Sequence, residues 1–211
     1  MKIVQVLFII VGSAGSVLAQ GRVDFRNGGV TFPTVADRRV YLGPIGSSGG
    51  GGCGPLVGTN YVAALFYAPG ANVNFDSLTS GTQAGALATF RQPTTAQPGT
   101  WLNPVPVGNY RVLDGVDVGQ TATLQIRVWD ITKYATYLDA FAAGGMHIRS
   151  VPFNYTVPPA LARPDAYYMD NLRAFASLEC PEPSVPALLG LGAIAWLWLR
   201  QKGQGRGRPF R

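Results

Sequence analysis

Catalysis needs titratable side chains gathered at one place, and this chain is sparing with them. Its single histidine, His147, follows Gly144-Gly145 and reads as an ordinary polar loop or strand residue. One imidazole allows no two-histidine metal site, and Cys53 and Cys180 lack the spacing of a zinc ligand set. Asp114 and Asp117 could offer oxygens to calcium, but the full EF-hand loop pattern is absent and Asp114-Gly115 is first a turn signal. No metal and no cofactor are expected. The aromatic residues are the remaining chemical clue. Trp101, Tyr110, Trp129, Tyr134, Tyr137, Tyr155, Tyr167 and Tyr168 include rings on which sugars could stack, against the plainer reading that they fill a core. Trp129 and Arg127 are the candidate sugar contacts, because strand alternation puts them on one face with Gln125.

These residues must be positioned by β structure. Residues 20–179 are rich in Val, Thr, Tyr, Phe, Gly and Pro and long enough for one domain with its own core. Gly21 to Phe25 alternates and then meets Asn27-Gly28-Gly29, which predicts a first strand and hairpin. Arg39 to Leu42 is a short apolar piece, and Gly43 to Gly54 reads as a surface loop. Tyr61 to Tyr67 is apolar on both faces, the pattern of a strand covered on both sides. Ala86 to Phe90 predicts another strand, with a long loop around Pro93 to Pro98. Thr121 to Trp129 alternates, with Ala122, Leu124, Ile126 and Val128 pointing one way. Thr132 to Ala143 is the one soluble helix expected, with Thr132 as N-cap, a stripe of Tyr134, Leu138 and Phe141, and Gly144-Gly145 as its stop. Ser150 to Val157 and Asn171 to Glu179 return to strand pattern. The sum is a mainly β chain built as a single β-sandwich, immunoglobulin-like or jelly-roll, with one short helix.

The ends differ from the body. Residues 1–19 have a positive Lys2, an apolar Ile3 to Val11, and Val17-Leu18-Ala19 before Gln20, the order of a secretory signal helix. The formal charge of +6 is concentrated at the ends: of 17 Lys and Arg, eleven lie in the body, against eleven acidic residues in the whole chain. A body with balanced charge gives no electrostatic footprint for nucleic acid. In an oxidising compartment Cys53 and Cys180 are a candidate disulfide pair, worth about 4 kcal/mol in the chain-entropy model for so long a loop.

The segment 180–211 has three consecutive parts. Pro181-Glu182-Pro183-Ser184 is a stiff extended spacer. Residues 185–199 form an apolar segment containing an uncharged run, Ala187 to Leu199, with Trp196 and Trp198 near its basic end, a candidate transmembrane helix of interfacial design. Residues 200–211 carry Arg200, Lys202, Arg206, Arg208 and Arg211, which would hold this end cytoplasmic. This order resembles the PEP-CTERM sorting signal of Gram-negative bacteria. The resemblance implies an exosortase-type processing enzyme as partner, with Pro181 to Ser184 as its recognition sequence, transient attachment to the inner membrane, and a link to exopolysaccharide and biofilm. Gly58 to Gly70, Gly119 to Asp130 and the final strand look like uncharacterised bodies seen on PEP-CTERM proteins, especially of Verrucomicrobia-type bacteria, and that likeness brings no activity with it.

The expected function is that of an exported, non-enzymatic protein of the cell surface or extracellular matrix. A carbohydrate-binding module with a Trp/Tyr face is the alternative, and an envelope hydrolase a weaker one.

Overall fold

Two strands form the spine, and both are largely buried on each face, although only the first is apolar on both: the second face of the other carries Thr123, Gln125, Arg127 and Trp129. β4 (Tyr61–Pro69) and β8 (Thr121–Asp130) pair antiparallel along their whole length, from Tyr61 opposite Asp130 to Pro69 opposite Ala122. The computed structural model describes residues 20–47, 53–75, 80–105 and 107–177. Within these, β5 (Thr82–Phe90) pairs with β4, β6 (Trp101–Leu102) with β5, and β9 (His147–Arg149) and β10 (Phe153–Thr156) with β8, giving a six-stranded sheet. A two-stranded ribbon of β1 (Gln20–Asp24) and β7 (Tyr110–Asp117) and a small sheet of β2 (Val40–Leu42), β3 (Gly54–Pro55) and β11 (Phe175–Ser177) complete the β structure.

The arrangement is sandwich-like. One buried cluster joins Ala63, Leu65, Leu124, Ile126 and Val128 of the large sheet to Val23 and Leu113 of the ribbon and to Val40 and Phe175 of the small sheet. Each fully buried Val, Leu or Ile side chain among them contributes roughly 1.5–3 kcal/mol by leaving water. Trp101 fills the junction: its ring lies 5.1 Å from Phe25 and 6.0 Å from Phe90, and its indole N–H donates to the Phe25 carbonyl.

Several sequence expectations change. β1 forms, but not as half of a hairpin; its partner is β7, far along the chain, with Arg22 opposite Val112 and Asp24 opposite Tyr110. The expected turn residue Asn27 is instead buried, its carboxamide donating to the Arg38 and Gly99 carbonyls and accepting from the Trp101 amide. The helix α1 spans only Tyr137–Ala142 and is capped by Thr136, not Thr132. Thr136 and Asp139 form a reciprocal capping box, while the Thr132 hydroxyl donates to Asp130. Its buried residues are Tyr137 and Ala140, whereas Leu138 and Phe141 face outward. Gly144 does end it, with φ at 62°. The final strand is shorter than expected, and β11 runs parallel to β2.

Candidate ligand-binding face

The sequence placed Trp129 and Arg127 on an exposed face of β8, and the structure overturns this. Both are buried, at 2% and 1% exposure. The side of β8 that alternation leaves for solvent is roofed by α1, where Trp129, Tyr137 and Ala140 pack with Val62 and Ala64 of β4 in a second apolar cluster. The Trp129 indole N–H donates to the Tyr134 carbonyl. Arg127 lies 4.1 Å from the Phe66 ring centre and donates to Gln125 and to the Ser80 carbonyl. Burial lowers its pKa, but a guanidinium keeps its charge at any working pH. Neither residue is open to a sugar.

His147 is a strand residue, as expected. Its Nδ1 lies 2.7 Å from the Gly145 carbonyl, and its ring packs edge-on against Tyr137 and Phe141. Asp114 uses its backbone carbonyl to accept from the Tyr67 hydroxyl. Among the described residues no group of three or more His, Cys, Asp or Glu side chains could hold a metal ion, and no helix is long and apolar enough to cross a membrane. Cys53 is disulfide-bonded. The signal segment 1–19, Cys180, the motif Pro181 to Ser184, the apolar segment and the basic tail all lie outside the described residues.

What the fold presents outward is an arginine–tyrosine row along the β1–β7 ribbon. Alternation sends Val23, Arg111 and Leu113 inward and Arg22, Tyr110 and Val112 outward. Arg22 faces Val112 across the ribbon, and Tyr110, two residues back on the same face, is its diagonal neighbour. The 3-10 turn Pro164–Tyr167 then brings Tyr167 against them. The Arg22 guanidinium carbon lies 4.9 Å from the Tyr110 ring centre and 4.7 Å from that of Tyr167, and the two rings stand at 85°. Arg22 thus sits in a corner of two tyrosine faces, an arrangement that favours a cation. The Tyr167 hydroxyl raises the Arg22 pKa further above its already high value.

The backbone under this corner is tied down. The Tyr155 hydroxyl donates to the Arg22 carbonyl, and the Tyr167 hydroxyl to that of Pro159, each at 2.7 Å. The row continues through consecutive Tyr168, which stacks edge-on with Phe32 and lies under Arg26. Arg26 is held by buried Asp24 through both its Nε and Nη2. Arg38, over the Phe32 ring, ion-pairs with Asp170 at 2.7 Å. An open cleft of about 260 Å³ adjoins, lined by Asn27, Gly28, Gly29, Arg38, Gln97 and Thr100 among others. The Asn27 carboxamide and both Nη atoms of Arg38 are committed to bonds within the fold, while Arg38 Nε is buried without a hydrogen-bond partner among the described residues.

Sequence reasoning had Tyr110 and Tyr167 among its aromatic candidates but not Arg22. The alternation of Gly21 to Phe25 already pointed Arg22 outward; the missing signal was the identity of the partner strand. No protein-family model, no curated protein and no solved structure matches this chain.

Proposed function

We propose that this chain is an exported, non-enzymatic protein of the cell surface or extracellular matrix, sorted and processed by an exosortase-type enzyme. The observation that carries this reading is the order of parts in 180–211: the Pro181-Glu182-Pro183-Ser184 spacer, an apolar segment with Trp196 and Trp198 near its basic end, and a basic tail. The signal-like segment 1–19 supports it independently, since sorting at the envelope requires export first. In this reading residues 185–199 hold the chain in the inner membrane, the basic residues keep 200–211 inside, and the β domain lies outside. The disulfide at Cys53 fits an oxidising compartment, and we assign its partner as Cys180, the other cysteine of the chain. Within sandwich architectures we read the domain as immunoglobulin-like or jelly-roll. A link to exopolysaccharide or biofilm follows from the resemblance of the tail.

The test is the intact mass of the protein from envelope and medium fractions, for the natural chain and for Glu182→Ala. Loss of both residues 1–19 and the segment beyond the motif, with retention of the tail in the variant, is the expected result. A natural chain that keeps Arg211 in the membrane would make it a plainly anchored envelope protein.

A further inference from the structure

We propose that the corner of Arg22, Tyr110 and Tyr167 binds the carboxylate of an acidic sugar unit, a uronate in a polysaccharide laid across the outer face of the β1–β7 ribbon. The proposal rests on the exported, matrix-associated reading and names the ligand class that reading leaves open. Arg26, Arg38 and Arg39 are each ion-paired, to Asp24, Asp170 and Asp37. Arg22 has no carboxylate partner among the described residues, and its one side-chain hydrogen bond, to the Tyr167 hydroxyl, is long at 3.5 Å. Its remaining N–H donors form the planar fork that accepts a carboxylate in two parallel bonds.

The corner is also preorganised. Tyr155 fixes the backbone at Arg22, and the tyrosine faces restrict the guanidinium, so little side-chain freedom remains to be lost on binding. Beside it Tyr110 and Val112 are 41% and 48% exposed, an apolar surface for the C–H face of a sugar ring. Acidic peptide motifs are held by clusters of arginines, whereas Arg22 is a single guanidinium here, unpaired among the described residues. An extended peptide otherwise gains affinity by adding its backbone to a strand edge. Arg22, Tyr110 and Val112 project from the face of the ribbon, where a peptide backbone finds no ladder to join. An open face also suits a chain polymer better than an enclosed small molecule.

The experiment uses the full chain in detergent, titrated calorimetrically with alginate oligosaccharides, with their carboxyl-reduced counterparts and with poly-glutamate. Binding of the uronate oligosaccharide is expected to weaken with salt and to fall at least tenfold in Arg22→Gln. Arg22→Lys should lose severalfold, because it keeps the charge but not the fork, and Arg149→Gln on β9 should lose nothing. The carboxyl-reduced sugar should not bind measurably. Melting curves verify that the variants fold, and Arg22→Lys carries the test if Arg22→Gln does not. The proposal is overturned if the natural chain does not bind, if neither Arg22 variant weakens binding, if the reduced sugar binds equally, or if poly-glutamate binds more tightly. A chain that is correctly trimmed yet ignores uronates defeats only this inference; one that binds uronates yet keeps its tail defeats only the sorting reading.

Discussion

Trp129 was the most conspicuous ring in the sequence, and its place in the fold decides what its removal should do. Trp129→Ala opens a cavity between β8 and α1 and strands the Tyr134 carbonyl, at an expected cost of about 3–5 kcal/mol in urea unfolding. A loss below about 1 kcal/mol would mean that the roof over β8 is not a packed core. Asp37 and Tyr41 tie stability to pH in opposite directions. Burial disfavours the Asp37 carboxylate, but hydrogen bonds from Arg39 and Tyr41 outweigh it and hold its pKa below the usual value. The stability it contributes is therefore present above the unfolded carboxylate range and is lost as pH falls through the folded value. Burial, with the bond to Asp37, pushes Tyr41 up to about 12. Its contribution is intact below the unfolded value of about 10 and drains away between there and about 12. Unfolding midpoints across pH should bend downward at both ends, and Tyr41→Phe should make the alkaline bend shallower without abolishing it, because burial also raises Tyr67, Tyr137 and Tyr155; an unchanged bend would remove Tyr41 as a contributor.

At the scale of elements, the strands were legible in sequence and their partners were not. β4 announces itself by apolar residues on both faces and β8 by its alternation, both local properties. The pairing of β1 with β7 depends on how Gly21 fits: a Cβ there would sit 2.6 Å from the Val116 carbonyl oxygen and 2.7 Å from the Val157 side chain. Gly21→Ala should therefore force β1 off its partners and lower the melting temperature, even though alanine is ordinarily the better strand residue. An unchanged melting temperature would show that the ribbon can shift at no cost. The candidate sugar face failed for a related reason. Alternation in Thr121 to Trp129 shows that the strand has two faces but not that a helix covers the second, and α1 is too short to show a stripe. Its start was readable in Thr136-x-x-Asp139 rather than at Thr132. Thr136→Ala should cost about 1 kcal/mol by freeing the first-turn amides, measured as a shift in the unfolding midpoint without a change in slope.

For the whole molecule, the proposed Cys53–Cys180 disulfide would be one long-range tie. If Cys53 is bonded to Cys180, Cys53→Ser or a reductant should lower stability by about 4 kcal/mol, and alkylation before reduction should add no mass. A mass increase before reduction would show free thiols and refute the pairing. The other long-range tie is β11, which meets β2 in parallel, Phe175 with Val40, Ala176 with Tyr41 and Ser177 with Leu42. No turn joins the two strands, for β2 lies far upstream. Traction applied beyond Ser177 along the axis of β11 would slide the strand past β2 and strain its slanted hydrogen bonds together, instead of peeling them one by one from a hairpin's open end. The amides of Ala174 and Phe175, bonded to the Asp37 and Arg39 carbonyls, share that load. Under the proposed attachment through residues 185–199, drag on the domain would load β11 in this shear geometry.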